Sequence, residues 1–207
     1  MTVLAIDTST TRGSVAVLAD SVPVFAEDFV ADRNHSTTLF SALERAKALA
    51  PQFDQIAIGL GPGSYAGVRI AIAAAIGLEL ATGAELVGIP SVAAWETGAD
   101  RFIAIGDARR QTFYWSEVDQ GVCVEGPLLV TEEELRHRLG STDLPVFASE
   151  AVPGFEGVQM ALPTAAILAR LASASRGIIA RNQLEPIYLR EPHITQPKTP
   201  PPQVFPG

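Results

Sequence analysis

The sequence predicts an α/β protein of two mixed sheets flanked by helices, the second half a degraded copy of the first. Three observations carry that expectation. Segments of strand and helix length follow one another as β-β-β-α-β-α through the first half. A strand–acidic turn–strand unit, "VLAIDTSTTRGSVAVL" at residues 3–18, returns as "FIAIGDARRQTFYWSEV" at residues 102–118, with Asp107 closing its strand as Asp7 does. The run "QIAIGL" at residues 55–60 is apolar throughout, as a central strand covered on both faces requires.

Residues 2–6, 13–19 and 23–30 are β-rich and separated by polar turns, so they read as an antiparallel meander. Asn34, His35 and Ser36 supply capping side chains for a helix that places Leu39, Leu43 and Ala46 at helical spacing and stops at Pro51. After the strand at 55–60, a glycine turn launches a second helix, centred on residues 70–81 and ending near Gly83. A strand at 85–89 and a short helix near 92–97 complete this half. Beyond the repeated unit come a helix from Thr131 with Glu132, Glu133 and Glu134 in its first turn, a strand at 145–149, and a helix at 163–174 opened by Pro163. The expected division is 1–100, 101–190 and a proline-rich tail at 191–207. That tail lacks hydrophobic periodicity and reads as an extended segment or as a proline-motif ligand.

Hydrophobic residues make up 47% of the 207 and charged residues 18%, ample material for a core. The net charge of −8 argues against a chain that grips a nucleic-acid backbone by itself, because that affinity comes mainly from basic groups displacing counterions. One cysteine, Cys123, excludes an internal disulfide and a multi-cysteine metal site. No charged leader opens the chain, and the fully apolar run at 70–78 is short for a bilayer. The expectation is a soluble, cytoplasmic protein with no membrane partner.

Two turns could carry chemistry. In the first, Asp7, Thr8 and Ser9 end a buried strand; such a turn can face a metal–phosphate group or can simply be a turn. In the second, "GPGSYAG" at 61–67 precedes a helix without the Gly-Lys-Ser/Thr ending of a nucleotide loop. Its glycines then serve close packing, and Arg69 holds an anion or pairs with a carboxylate. The second helix has only Arg69 and Glu79 as charged residues, so both of its sides need cover. Ile70, Ala74, Gly77 and Ala81 lie along one line of it. Either the first helix and nearby loops bury that line, or it is a subunit interface.

Taken together, "AIDTST" (5–10), "NHSTTL" (34–39), "GLGPGSYAGVRIA" (59–71), "DARRQTFYW" (107–115) and "EPIYLR" (185–190) resemble the TsaB (YeaZ) family. That family lies within the actin–hexokinase–Hsp70 superfamily, whose β-β-β-α-β-α unit is duplicated around a nucleotide cleft. The resemblance spans residues 2 to about 190, and its glycine motif is the most specific part. It implies two actin-like, ribonuclease H-like domains, the first carrying the dimerisation helices. It also implies a non-catalytic partner in the transfer of a threonylcarbamoyl group to the adenosine beside the anticodon of tRNAs.

In the family picture TsaC makes threonylcarbamoyl-AMP, TsaD transfers the group, and the ATPase TsaE regulates. A TsaB-like chain pairs with TsaD, helps to recruit TsaE, self-associates when alone, and meets tRNA only through the complex. The His-x-x-x-His pair of TsaD has no counterpart in "GIPSVAAWETG" at 88–98. His35, His137 and His193 have no metal-ligand spacing, so neither a metal nor a catalytic residue is expected. The resemblance places the partner contact at His35, Leu39, Leu43, Arg69, Ile70, Ala74, Gly77 and Ala81. Read alone, His35 beside a helix start caps or packs, with a subunit contact as the lesser reading. Weak nucleotide contacts would fall to Asp7, Thr8, Ser9, Gly61, Gly63 and Asp107. No cofactor is expected to be tightly bound; ATP or ADP with magnesium would sit at a complex interface. The rival expectations are a small-molecule kinase holding a magnesium-nucleotide between Asp7 and Asp107, a metallopeptidase, and a freestanding homodimeric scaffold.

Overall fold

The computed structural model describes residues 1–30 and 35–190, and of His35 only the backbone. The predicted tail at 191–207, with His193, and the capping residue Asn34 lie outside the described residues.

The chain opens with β1 (Thr2–Asp7), β2 (Arg12–Ala19) and β3 (Val22–Val30), antiparallel neighbours as expected. Next come α1 (His35–Leu49), β4 (Gln55–Gly59), α2 (Tyr65–Thr82) and β5 (Glu85–Ile89). β4 pairs in parallel with both β1 and β5, so it is the buried central strand that its apolar run demands. A 3₁₀ turn at Ser91–Ala94 stands where a short helix was expected. The second half runs β6 (Arg101–Asp107), β7 (Thr112–Asp119), β8 (Val122–Thr131), α3 (Glu132–Leu139), β9 (Val146–Ala148) and β10 (Gln159–Met160). It closes with α4 (Ala165–Ser173) and β11 (Ala180–Arg181).

Two mixed sheets result, ordered β11-β5-β4-β1-β2-β3 and β10-β9-β6-β7-β8. The second repeats the meander, a helix and a parallel strand, but has no helix between β9 and β10. That is the physical content of its degradation. Residues 101–190 are not one self-contained unit, however. α4 packs on the first sheet and β11 joins its edge against β5.

Period-two alternation sorts the first sheet into two faces. Leu4, Ile6, Val15, Val17, Ile56 and Ile58 meet α1 and α2 on one side. Val3, Ala5, Ala16, Leu18 and Ala57 meet Ala165, Leu168, Ala169 and Ala172 of α4 on the other. Small residues on both sides of that second contact let α4 lie close to the sheet.

Three details differ from expectation. α2 begins at Tyr65, because the Ser64 hydroxyl accepts from the Gly67 N–H (3.2 Å) and caps it early. Gly83 ends it in the left-handed conformation, donating to the Glu79 carbonyl. At 18 residues α2 has the length and apolarity to cross a membrane, yet Val68, Ala71, Ile72 and Ala75 bury one side of it in the core. α4 starts at Ala165 with Thr164 as its cap, so Pro163 stands before the cap and not inside the helix.

β8 was not expected, since Glu125-Gly126-Pro127 interrupts its apolar pattern. A sheet edge tolerates that interruption, where a missing N–H costs no ladder bond. Cys123, on β8, packs between core clusters, and burial pushes its thiol up to about 12. A thiol reagent at pH 8 should therefore label it at least tenfold more slowly than free cysteine. Labelling at the free rate in the folded chain would contradict the placement.

Candidate functional site

The predicted site residues fall in two regions: the junction of the two turns with the cleft between the sheets, and the pair of helices α1 and α2. At the junction the glycine turn is seated on the acidic turn, backbone against backbone. The Ser64 N–H donates to the Ser9 carbonyl (2.6 Å), and the Thr8 hydroxyl donates to the Gly67 carbonyl (2.8 Å). A Cβ on Gly63 would lie 2.0 Å from the Ser9 carbonyl oxygen, and one on Gly67 would lie 1.9 Å from that of Thr8. Nothing larger than glycine fits at either position. The Gly61 N–H donates to the Ser91 hydroxyl (2.9 Å), and the Val68 N–H to the Ser64 carbonyl (3.0 Å). The amides of Gly61, Ser64, Gly67 and Val68, which a phosphate loop would aim at its ligand, are bonded within the chain.

Asp7 is completely buried behind this junction. Its Oδ1 accepts from the Ser9 N–H (2.9 Å) and the Ser9 hydroxyl (2.7 Å). Among the described residues its Oδ2 has no partner within hydrogen-bond geometry, although the Ser91 hydroxyl is nearby. A Cβ on Gly59 would stand 1.8 Å from Oδ2, so this carboxylate has room only because residue 59 is glycine. Burial raises the Asp7 carboxyl above the ordinary carboxylate range, opposed by Ser91 and Ser9. The folded chain thus holds this proton to higher pH than the unfolded chain does. The associated stability is present at low pH and is lost as pH rises through the raised value. Asp7→Asn keeps the shape and removes the charge. Its urea midpoint should exceed that of the parent at pH 7, and the gap should close towards about pH 4. A gap that widens on acidification would show that Asp7 is held as a carboxylate.

The cleft between the sheets has a volume of about 1070 Å³. Ser9, Gly63 and Asp107 line it; Asp7, Thr8 and Gly61 do not. Asp107 Oδ1 accepts from the Arg109 N–H (2.6 Å), and Arg109, Arg110 and Gln111 all have positive φ. This second turn therefore presents bulky side chains where backbone would approach a phosphate closely. These residues do not fit a magnesium–phosphate group between Asp7 and Asp107. The reason is steric: the first carboxylate lies behind the glycine turn instead of facing its counterpart.

α2 divides its residues in a way that corrects the expected interface. Ala74 is only 6% exposed and belongs to the core. Leu39 (0%) and Leu43 (7%) of α1 are likewise core residues, facing the sheet. Ile70 is partly buried against the same cluster. Arg69, Gly77 and Ala81 are exposed as predicted. Ala73, Ile76 and Leu80, the last 84% exposed, lie on the same solvent side, although the expected contact was not centred on them. With Arg69 and Gly77 they form a line at i, i+4, i+7, i+8 and i+11 along the solvent side. Phe40 on α1 is also exposed, and α1 packs beside α2. Among the described residues no group of three or more His, Cys, Asp or Glu is placed to hold a metal.

Comparison with known proteins points one way. The model of the family described as "TsaD: tRNA N6-adenosine threonylcarbamoyltransferase" matches residues 29–128. The tRNA threonylcarbamoyladenosine biosynthesis protein TsaB of Haemophilus influenzae is 30% identical over 97% of this chain and 98% of its own. The protein of the same name from Escherichia coli K12 is 35% identical over 56% of this chain and 54% of its own. Among solved structures, a Pseudomonas aeruginosa protein with similarity to peptidase YEAZ superposes with TM-score 0.74 at 28% identity, covering 91% of this chain and 99% of that one. YeaZ from the same organism gives TM-score 0.69 at 25% identity, covering 91% and 100%.

Proposed function

Because the chain belongs to the TsaB (YeaZ) family of tRNA threonylcarbamoyladenosine biosynthesis proteins, we propose that it is the non-catalytic partner of the threonylcarbamoyl-transferring subunit TsaD, docking through the outer side of α2. The observation that carries this reading is the exposed line of Ala73, Ile76, Gly77 and Leu80. A large apolar side chain moved from water into a contact contributes about 1.5–3 kcal/mol. Small residues between two such side chains allow a partner helix to approach closely. A standard interface buries roughly 1,600 Å² in total, an area that adjoining residues of α1 such as Phe40 would help to supply.

Chemistry is assigned to the partner. The segment at 88–98 carries no histidine, and the kinase alternative needs a carboxylate that Asp7, behind Gly59, does not offer. ATP or ADP with magnesium is assigned to the contact between subunits and not to this cleft. The role of this chain is to hold TsaD in a competent conformation and to help form the site for TsaE. Alone, the same face pairs two copies of the chain. tRNA is met through the complex, consistent with a net charge of −8, and the assembly is cytoplasmic.

Light scattering on an equimolar mixture of this chain with TsaD from the same cell tests the reading. A one-to-one heterodimer is expected at micromolar concentration. Two species that keep their separate masses would overturn it.

A further inference from the structure

A short irregular segment after β11 crosses from one sheet to the other at the edge of the cleft. Leu184 and Ile187 pack against the first-sheet core, and the Ile187 N–H donates to the Leu60 carbonyl (2.8 Å) just before the glycine turn. Leu189 packs on a cluster of the second sheet, and the Arg190 guanidinium donates to the Thr112 hydroxyl (2.5 Å) at the start of β7. Within four residues the chain is fixed first to one sheet and then to the other, with Pro186 stiffening the approach. Residues 186–190 also form part of the cleft wall.

Between the two anchor points, Tyr188 stacks on Tyr65, ring centroids 5.2 Å apart and planes 29° apart. Tyr65 is the first residue of α2. The Arg69 guanidinium lies over the Tyr65 ring, 4.8 Å from its centroid, and donates to the Tyr65 hydroxyl. Arg69 is in turn the first member of the exposed line on α2. The contacts run unbroken from the segment at 184–190, through Tyr188 and Tyr65, to the solvent side of that helix.

We propose that residues 184–190 are a latch that fixes the two sheets relative to one another, and that Tyr188 relays its state to the first turn of α2. Among the described residues few bonds hold the latch: it belongs to no sheet or helix, and Arg190 Nε is buried with no partner among them. Such a segment opens locally at far lower cost than the sheets it joins. Because coupling is reciprocal, whatever restrains the start of α2 also restrains the latch. The consequence for assembly rests on α2 being the docking helix, whereas the latch and the relay are properties of the chain by itself.

Hydrogen exchange read by mass spectrometry on the full chain tests both. In Tyr188→Ala, exchange should rise about tenfold in peptides covering 184–190 and also in those covering 65–70, the upper end of what one aromatic pair contributes. Peptides from β1 and β4 should keep the parent rates. Tyr65→Ala should loosen 184–190 to a similar degree, and Tyr188→Phe should restore parent exchange in both regions. Unchanged exchange at 184–190 in Tyr188→Ala would overturn the latch. A loosened 184–190 with 65–70 unaltered would overturn the relay. Neither readout involves TsaD, so a failure of α2 to bind TsaD would leave these results standing.

Discussion

A chain carrying Leu80→Glu should fold as the parent does and fail to assemble. Leu80 is 84% exposed, so replacing it removes almost nothing from the core. In a contact it has the opposite weight. Its loss forgoes about 1.5–3 kcal/mol of apolar burial, and an unpaired carboxylate in the same place adds a desolvation penalty of several kcal/mol. Together these weaken association at least 100-fold, about 2.8 kcal/mol. Light scattering should show self-association falling to monomer mass and the TsaD complex lost at micromolar concentration, with the urea midpoint unchanged. The same charge at Ala74 would enter the core and unfold the chain, so it would say nothing about docking. Retained assembly in Leu80→Glu would show that this side of α2 is not the contact.

Two glycines of α2 should respond to alanine with opposite signs. At Gly67 the added Cβ would stand 1.9 Å from the Thr8 carbonyl oxygen, a backbone atom that cannot step aside. Relief requires the glycine turn to lift from the acidic turn, straining the bonds from Ser64 to Ser9 and from Thr8 to Gly67. Gly67→Ala should cost about 3 kcal/mol. At Gly77 no atom lies within 4 Å of the added carbon. An exposed helix interior gains about 0.5–1 kcal/mol when glycine becomes alanine. Gly77→Ala should therefore raise the urea midpoint of the monomer while weakening assembly, because the methyl stands in the line where a partner helix approaches. A Gly67→Ala chain as stable as the parent would contradict the seating of the two turns. A Gly77→Ala chain with unchanged assembly would place the partner elsewhere on the helix.

Most of the first sheet could be read from its residues, because β1, β2 and β4 are apolar runs bounded by turn formers. The central, doubly covered placement of β4 followed from its lack of alternation. α2 was legible as a helix but not in its orientation. A helix apolar on every side gives no moment by which to choose a face, and so Ala74 was placed in the expected contact, whereas it faces the core and Ala73, Ile76 and Leu80 face solvent.

The return of α4 and β11 to the first sheet is a long-range choice, made by Ala165 and Ala169 against Ala5 and Ala16, that no local pattern records. β8 was hidden by Glu125, Gly126 and Pro127. The burial of Asp7 depends on glycine at 59, and the seating of the turns on glycine at 63 and 67. The spacing of four is visible in the sequence and marks a close approach, but not what approaches. For the site, the missing lysine of the glycine turn was the informative signal, and in the structure that turn is seated on the Asp7 turn through bonds to Thr8 and Ser9.

In the proposed assembly TsaD does not work alone, and this chain supplies what it lacks. Reconstituted threonylcarbamoyl transfer to tRNA, with TsaD, TsaE and threonylcarbamoyl-AMP from the same cell's machinery, measures that directly. Omitting this chain should abolish transfer, and adding it back should restore the rate in proportion until it equals TsaD. Full-rate transfer without it would contradict the account.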